Sequence, residues 1–96
     1  MNIYPGQIDH FLSQEDKVGS EYQVILTRKD GLDHMTIRTE RGQTTSSSED
    51  GAITARLEGA IRRNLLVRGK VELVDYGTLP RTERKSTRVF DERNNS

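Results

Sequence analysis

The sequence predicts a small α+β sandwich of the ferredoxin-like type, with strand and helix order βαββαβ and a basic C-terminal tail. Three observations carry that reading. An Asp-Gly pair separates two β-patterned runs, two stretches repeat apolar residues at helical spacing, and the length of 96 residues suits one packed unit better than two. Residues 1–96 are therefore expected to form a single domain with both helices on one face of an antiparallel sheet.

The first segment, Met1-Asn2-Ile3-Tyr4, reads as extended up to Pro5, because a residue before proline is pushed out of the helical region. It supplies the first strand, and since it starts at residue 1 the chain is expected to enter in mid-strand, as part of something longer. Pro5 can open a helix, and Ile8, Phe11 and Leu12 lie at i, i+3 and i+4, the stripe of an amphipathic helix over about 5 to 14. The polar, glycine-bearing run from Gln14 to Ser20 reads as a loop.

Tyr22 to Thr27 has the aromatic and β-branched enrichment of a strand, with Tyr22, Val24 and Leu26 on one face. Asp30-Gly31 then offers the positive-φ chemistry of a tight hairpin turn. His34 to Glu40 alternates, so that Met35, Ile37 and Thr39 point inward and His34, Arg38 and Glu40 outward. From Arg41 to Ser48 the chain is polar and glycine-bearing, a surface loop that ends in helix-start chemistry. Ser46 with Glu49, or Ser47 with Asp50, has capping-box spacing. Ile53, Leu57, Ala60, Ile61 and Leu65 recur at three and four, which predicts the longest helix over about 50 to 66. Gly69 ends the connection, Val71 to Val74 forms a short strand, and Tyr76-Gly77-Thr78-Leu79-Pro80 breaks it.

Composition excludes several classes of function. Fifteen Lys+Arg balance fifteen Asp+Glu, so no global charge draws the chain to nucleic acid or an anionic membrane. The absence of cysteine removes thiolate catalysis and Cys-based zinc sites. His10 and His34 are the two imidazoles, far apart in unrelated contexts, so no metal site is expected. No run approaches a membrane span and the start lacks signal-peptide character, so the expectation is a cytoplasmic protein.

One stretch concentrates chemistry. Between Gly77 and Arg88, a turn is followed by Arg81, Arg84, Lys85 and Arg88, interleaved with Thr82, Ser86 and Thr87. Cations beside hydroxyls suit a phosphate or carboxylate, because charge-assisted donors bind anions strongly. On composition alone the same stretch reads first as a solvated polar tail.

The run Val71-Glu72-Leu73-Val74, then Gly77-Thr78-Leu79-Pro80-Arg81-Thr82-Glu83, then Lys85, resembles the closing motif of adenylate-forming acyl-CoA ligases, specifically the phenylacetate-CoA ligase branch. Asn2-Ile3-Tyr4-Pro5-Gly6-Gln7-Ile8 is similar to the segment that opens that branch's C-terminal domain. Tyr22-Gln23-Val24 and Gly31-Leu32-Asp33 sit in register between them. The resemblance runs from residue 2 to about residue 93.

It implies a two-step ligase that joins a small carboxylic acid to ATP, giving an acyl-adenylate and pyrophosphate, and then lets coenzyme A displace AMP. It further implies that this chain is the small swinging C-terminal lobe. The partner is the N-terminal ATP-binding domain of the same enzyme, which holds ATP, Mg2+ and the acid, so this fragment binds no cofactor and is inactive alone. Lys85 matches the adenylation lysine, with Arg81 and Arg88 as lesser candidates for phosphate contact and Glu83 shaping the loop. The family has glycine before that lysine and a small residue after it, where this chain has Arg84 and Ser86. The hairpin from Tyr22 to Glu40 is, by the same resemblance, near the face turned to the active site during thioester formation. His34 and Arg38 there point off the core and could meet a phosphate, although plain exposure to solvent is the first reading of both.

Two other classes share the topology. An RNA-binding module needs aromatics on its central strands, and the strand from His34 to Glu40 has none. A stand-alone ferredoxin-like regulatory domain that binds a small metabolite as a dimer stays open, and it differs in making Lys85 dispensable.

Overall fold

The computed structural model describes residues 5–65, 69–80 and 89–92. Helix α1 (Pro5–Leu12) leads into β1 (Val18–Lys29) and β2 (Leu32–Arg41), after which a 3-10 turn (Ser47–Glu49) runs into α2 (Asp50–Leu65). β3 (Gly69–Val74) and the short β4 (Val89–Asp91) complete the described elements.

β1 and β2 form the expected antiparallel hairpin, with Val24 opposite Ile37 and Leu26 opposite Met35. The turn between Lys29 and Leu32 holds Asp30 at φ 54 and Gly31 at φ 79, the two positive values that a type I′ turn requires. Both strands run longer than their hydrophobic alternation suggests, and a bulge between Val18 and Tyr22 lets β1 begin early.

The α+β class holds, with two helices over a four-stranded sheet, but the sheet is mixed and ordered β3-β2-β1-β4. β3 lies parallel to β2 and β4 lies parallel to β1, where an antiparallel sheet was expected. The reason is the connection. A helical crossover carries the chain back to the end where β2 began, so the next strand enters in the same direction. The fourth strand comes from Val89–Asp91, inside what the sequence suggested was a tail. The proposed first strand over 1–4 lies outside the described residues.

One apolar cluster joins the helices to the sheet. Ile8, Phe11 and Leu12 of α1 and Ile53, Leu57 and Ile61 of α2 pack on Tyr22, Val24, Leu26, Met35, Ile37 and Val71. All six strand residues follow the period-two pattern and all six helical ones follow the three-four pattern, which places both helices on one face. The outer edge of β3 is guarded by α2, as the Val71 N–H donates to Glu58 Oε2 at 3.0 Å.

Ser46 caps the 3-10 turn that precedes α2: it is extended at φ −83 and ψ 147, and its side chain accepts from the Ser48 N–H. The expected reciprocal bond from Glu49 is not made, since its carboxylate meets Lys17 Nζ at 3.4 Å.

Candidate functional site

β3 ends where Glu40 of β2 faces Val74, and the chain then reverses in a tight turn. The Thr78 N–H and hydroxyl both donate to the Asp75 carbonyl, at 3.1 and 2.6 Å. Gly77 at φ +88 occupies the third position, the conformation that favours glycine in a type II turn. This turn leads directly into the basic segment.

Both ends of the turn are tied to the last two residues of β2. The Leu79 N–H donates to Glu40 Oε2 at 2.8 Å in a buried position. Arg41 NH1 donates to Asp75 Oδ1 at 2.6 Å. Arg41 also grips the first residue of α2 through a two-pronged contact, Nε to Asp50 Oδ1 at 2.7 Å and NH2 to Asp50 Oδ2 at 2.6 Å. That guanidinium hydrogen-bonds the Asp50 carboxylate and holds its pKa below the usual carboxylate range, with coulombic attraction adding to it and partial burial opposing it. The Arg41 guanidinium is in turn held more firmly protonated, first by Asp50 and then by Asp75.

Glu40 departs from the outward, solvated place that alternation predicts for it. Its face is the one away from the helices, yet it is 0% exposed. Leu79 is buried too, and it lies outside the apolar cluster shared by the helices and sheet. The returning turn therefore covers Glu40 on the open face. No local signal could have shown this, since the two partners stand 39 positions apart.

Lys85, Arg81 and Arg88 all lie outside the described residues, as do Glu83 and Arg84. What the structure describes is the pair of ends between which they run: Leu79, tied to Glu40, and Val89, paired with Val24. Of the other cationic candidates, Arg38 is engaged on the open face, donating to Glu72 Oε2 at 3.2 Å and Gln23 Oε1 at 3.4 Å. His34 is exposed and His10 sits near Gln14 on the surface of α1. Among the described residues, no three His, Asp or Glu side chains converge to hold a metal ion, and no helix is long and apolar enough to cross a membrane.

Residues 1–93 match the family model described as the AMP-binding enzyme C-terminal domain. The chain belongs to this family. Within it, this AMP-binding enzyme C-terminal domain is of the phenylacetate-CoA ligase-like kind. It is 26% identical over 97 residues to phenylacetate-coenzyme A ligase of Escherichia coli strain K12, covering 98% of this chain and 22% of that protein. A crystal structure of a domain of phenylacetate-coenzyme A ligase from Bacteroides vulgatus ATCC 8482 superposes with a TM-score of 0.80 at 33% identity, covering 96% of this chain and 86% of that one. 2-Hydroxyisobutyryl-CoA ligase, in complex with 2-HIB-AMP and CoA in its thioesterification state, superposes with a TM-score of 0.86 at 30% identity. That match covers 96% of this chain and 20% of the ligase. The C-terminal domain thus spans about a fifth of the length of the full ligases it resembles.

Proposed function

We propose that this domain is the C-terminal lobe of an ATP-dependent, AMP-forming aryl- or acyl-CoA ligase of the phenylacetate-CoA ligase type, and that Lys85 is its catalytic contribution. The observation that carries the reading is the match of nearly the whole chain to a ligase whose structure holds both an acyl-adenylate and CoA. The partner is the N-terminal domain of the same enzyme, which receives ATP, the carboxylic acid and Mg2+. Among its described residues this lobe has no group of three His, Asp or Glu side chains suited to the ion.

The first step brings two anions together. A carboxylate oxygen of the acid bonds to the α-phosphorus of ATP while the bond to pyrophosphate breaks, giving a mixed anhydride. An ammonium group between carboxylate and phosphate offsets their repulsion and the charge that develops, most effectively where water is excluded. Lysine suits the task because its charge is compact and its stem is long. In the second step the sulfur of coenzyme A bonds to the acyl carbon, AMP leaves with the electron pair of the anhydride bond, and the thiol proton passes to solvent. For this second step the lobe turns its hairpin surface toward the thiol. Alone, it lacks both nucleotide and acid sites and is inactive.

The test is Lys85→Ala in the intact ligase, with phenylacetate as the first acid tried. By analogy with the loss of one preorganised donor, the adenylation rate should fall about 10²- to 10³-fold. An unchanged rate of acid-dependent pyrophosphate release removes Lys85 from the mechanism.

A further inference from the structure

We propose that Glu40 is a positioning residue for adenylation, one that fixes the backbone from which the lysine segment departs. The proposal rests on the assignment of Lys85 made above. Its grounds are three features of the described structure.

The first is where the carboxylate lies. A Glu with 0% exposure on the sheet face opposite the two described helices is costly, because a buried polar group must recover the hydration it gives up. Packing alone would be served better by an apolar residue, because a buried polar group costs free energy unless its hydrogen bonds are recovered. The second feature is what the carboxylate holds. One of its contacts is the main-chain N–H of Leu79 at 2.8 Å, a bond that fixes the backbone whatever side chain stands there.

The third feature is the rest of the clamp. The neighbouring residue Arg41 holds the other end of the same turn through Asp75 and is itself held by Asp50 at the start of α2. Between those ends Thr78 closes the turn on the Asp75 carbonyl. The exit point of the chain is thus referred to the sheet by Glu40 and to the long helix by Arg41. Lys85 lies six positions beyond Leu79 in the sequence. A six-residue span reaches at most about 20 Å, so a displacement at Leu79 moves the region the ammonium can occupy. Misplacement by about 1 Å is enough to cost a large factor in a reaction that depends on close approach.

The experiment separates the two half-reactions in the intact ligase, using phenylacetate and ATP for adenylation and preformed phenylacetyl-adenylate with CoA for thioester formation. Glu40→Ala should lower adenylation about tenfold or more and leave thioester formation within about twofold, a split that general loss of structure would not give. Glu40→Gln keeps a carbonyl oxygen able to accept from Leu79 and should restore most of the rate. Should the Ala variant fail to fold, Glu40→Asp, which withdraws the oxygen by one methylene, should show the same selective loss. Lys85→Ala is run in parallel. A lysine-dependent enzyme in which the Glu40 variants are neutral, or lose both half-reactions equally, overturns the positioning role alone. An adenylation rate unchanged in Lys85→Ala overturns the lysine assignment and this proposal with it.

Discussion

Gly69 enters β3 directly against Ile61 of α2. A Cβ built on that glycine would stand 2.7 Å from Ile61 Cγ2 and 3.0 Å from Cδ1, with Met35 Cε at 3.4 Å. The glycine lets a strand pass beside a helix without a side chain to separate them, and it does so at the point where the crossover rejoins the sheet. Gly69→Ala should therefore destabilise the fold by about 1–3 kcal/mol, the range for overpacking. Urea unfolding measures this, and wild-type stability in the alanine variant would mean that Ile61 yields freely.

The core should respond according to depth. Ile37 on the central strand β2 has no exposed surface, whereas Leu32 at the hairpin tip is 65% exposed. Ile37→Ala should cost about 2–5 kcal/mol, and Leu32→Ala should stay within about 0.5 kcal/mol of wild type. Equal effects at the two sites in chemical denaturation would contradict the observed layering.

Acid should weaken the links made by Asp50 and Glu15. Arg41 holds the Asp50 carboxyl below its usual range, and Arg56 does the same for Glu15 through Nε and NH2 contacts at 2.8 and 3.0 Å. A carboxylate whose folded pKa is depressed contributes stability that is fully present above its unfolded value. That stability is lost as pH falls through the lowered folded value. Asp50→Asn should thus be less stable than wild type at neutral pH and converge on it in acid. Unfolding midpoints taken from about pH 7 down to about pH 3 test this, and a constant gap across the range would rule the linkage out.

The 96-residue chain on its own should release no pyrophosphate from ATP and phenylacetate. Turnover by the isolated, purified lobe would show that it carries a nucleotide site of its own, and would end the division of labour proposed above.

The parts of the fold legible in the sequence were those encoded by short-range pattern. Ile8, Phe11 and Leu12, the Asp30-Gly31 turn and the Ile53-Leu57-Ile61 stripe each lie within a few residues of what they specify, and all appear in the core or turn where they were expected. Strand direction was different. Nothing local to Val71 or Val89 states whether a neighbour runs parallel, because that is decided by the path of the chain between strands, and so an antiparallel sheet was inferred where a mixed one exists. Glu40 shows the same limit for the site. Alternation assigned it correctly to the outer face, but its burial depends on Leu79 folding back across it. Arg41 was read as the start of a loop, and its three-way contact with Asp50 and Asp75 joins segments distant in the chain. The motif around Lys85 was visible as a resemblance because it depends on residue identity and order.

The parallel pairing of β2 with β3 also bears on how the lobe assembles. The β1–β2 hairpin closes across two residues, and its ordering entropy is small. β3 can join only after the whole stretch from Gly42 to Arg68 has been looped back, and β4 must then find β1 from farther still. The framework of β1 and β2 that receives the turn at Asp75 is thus expected to form before the turn itself.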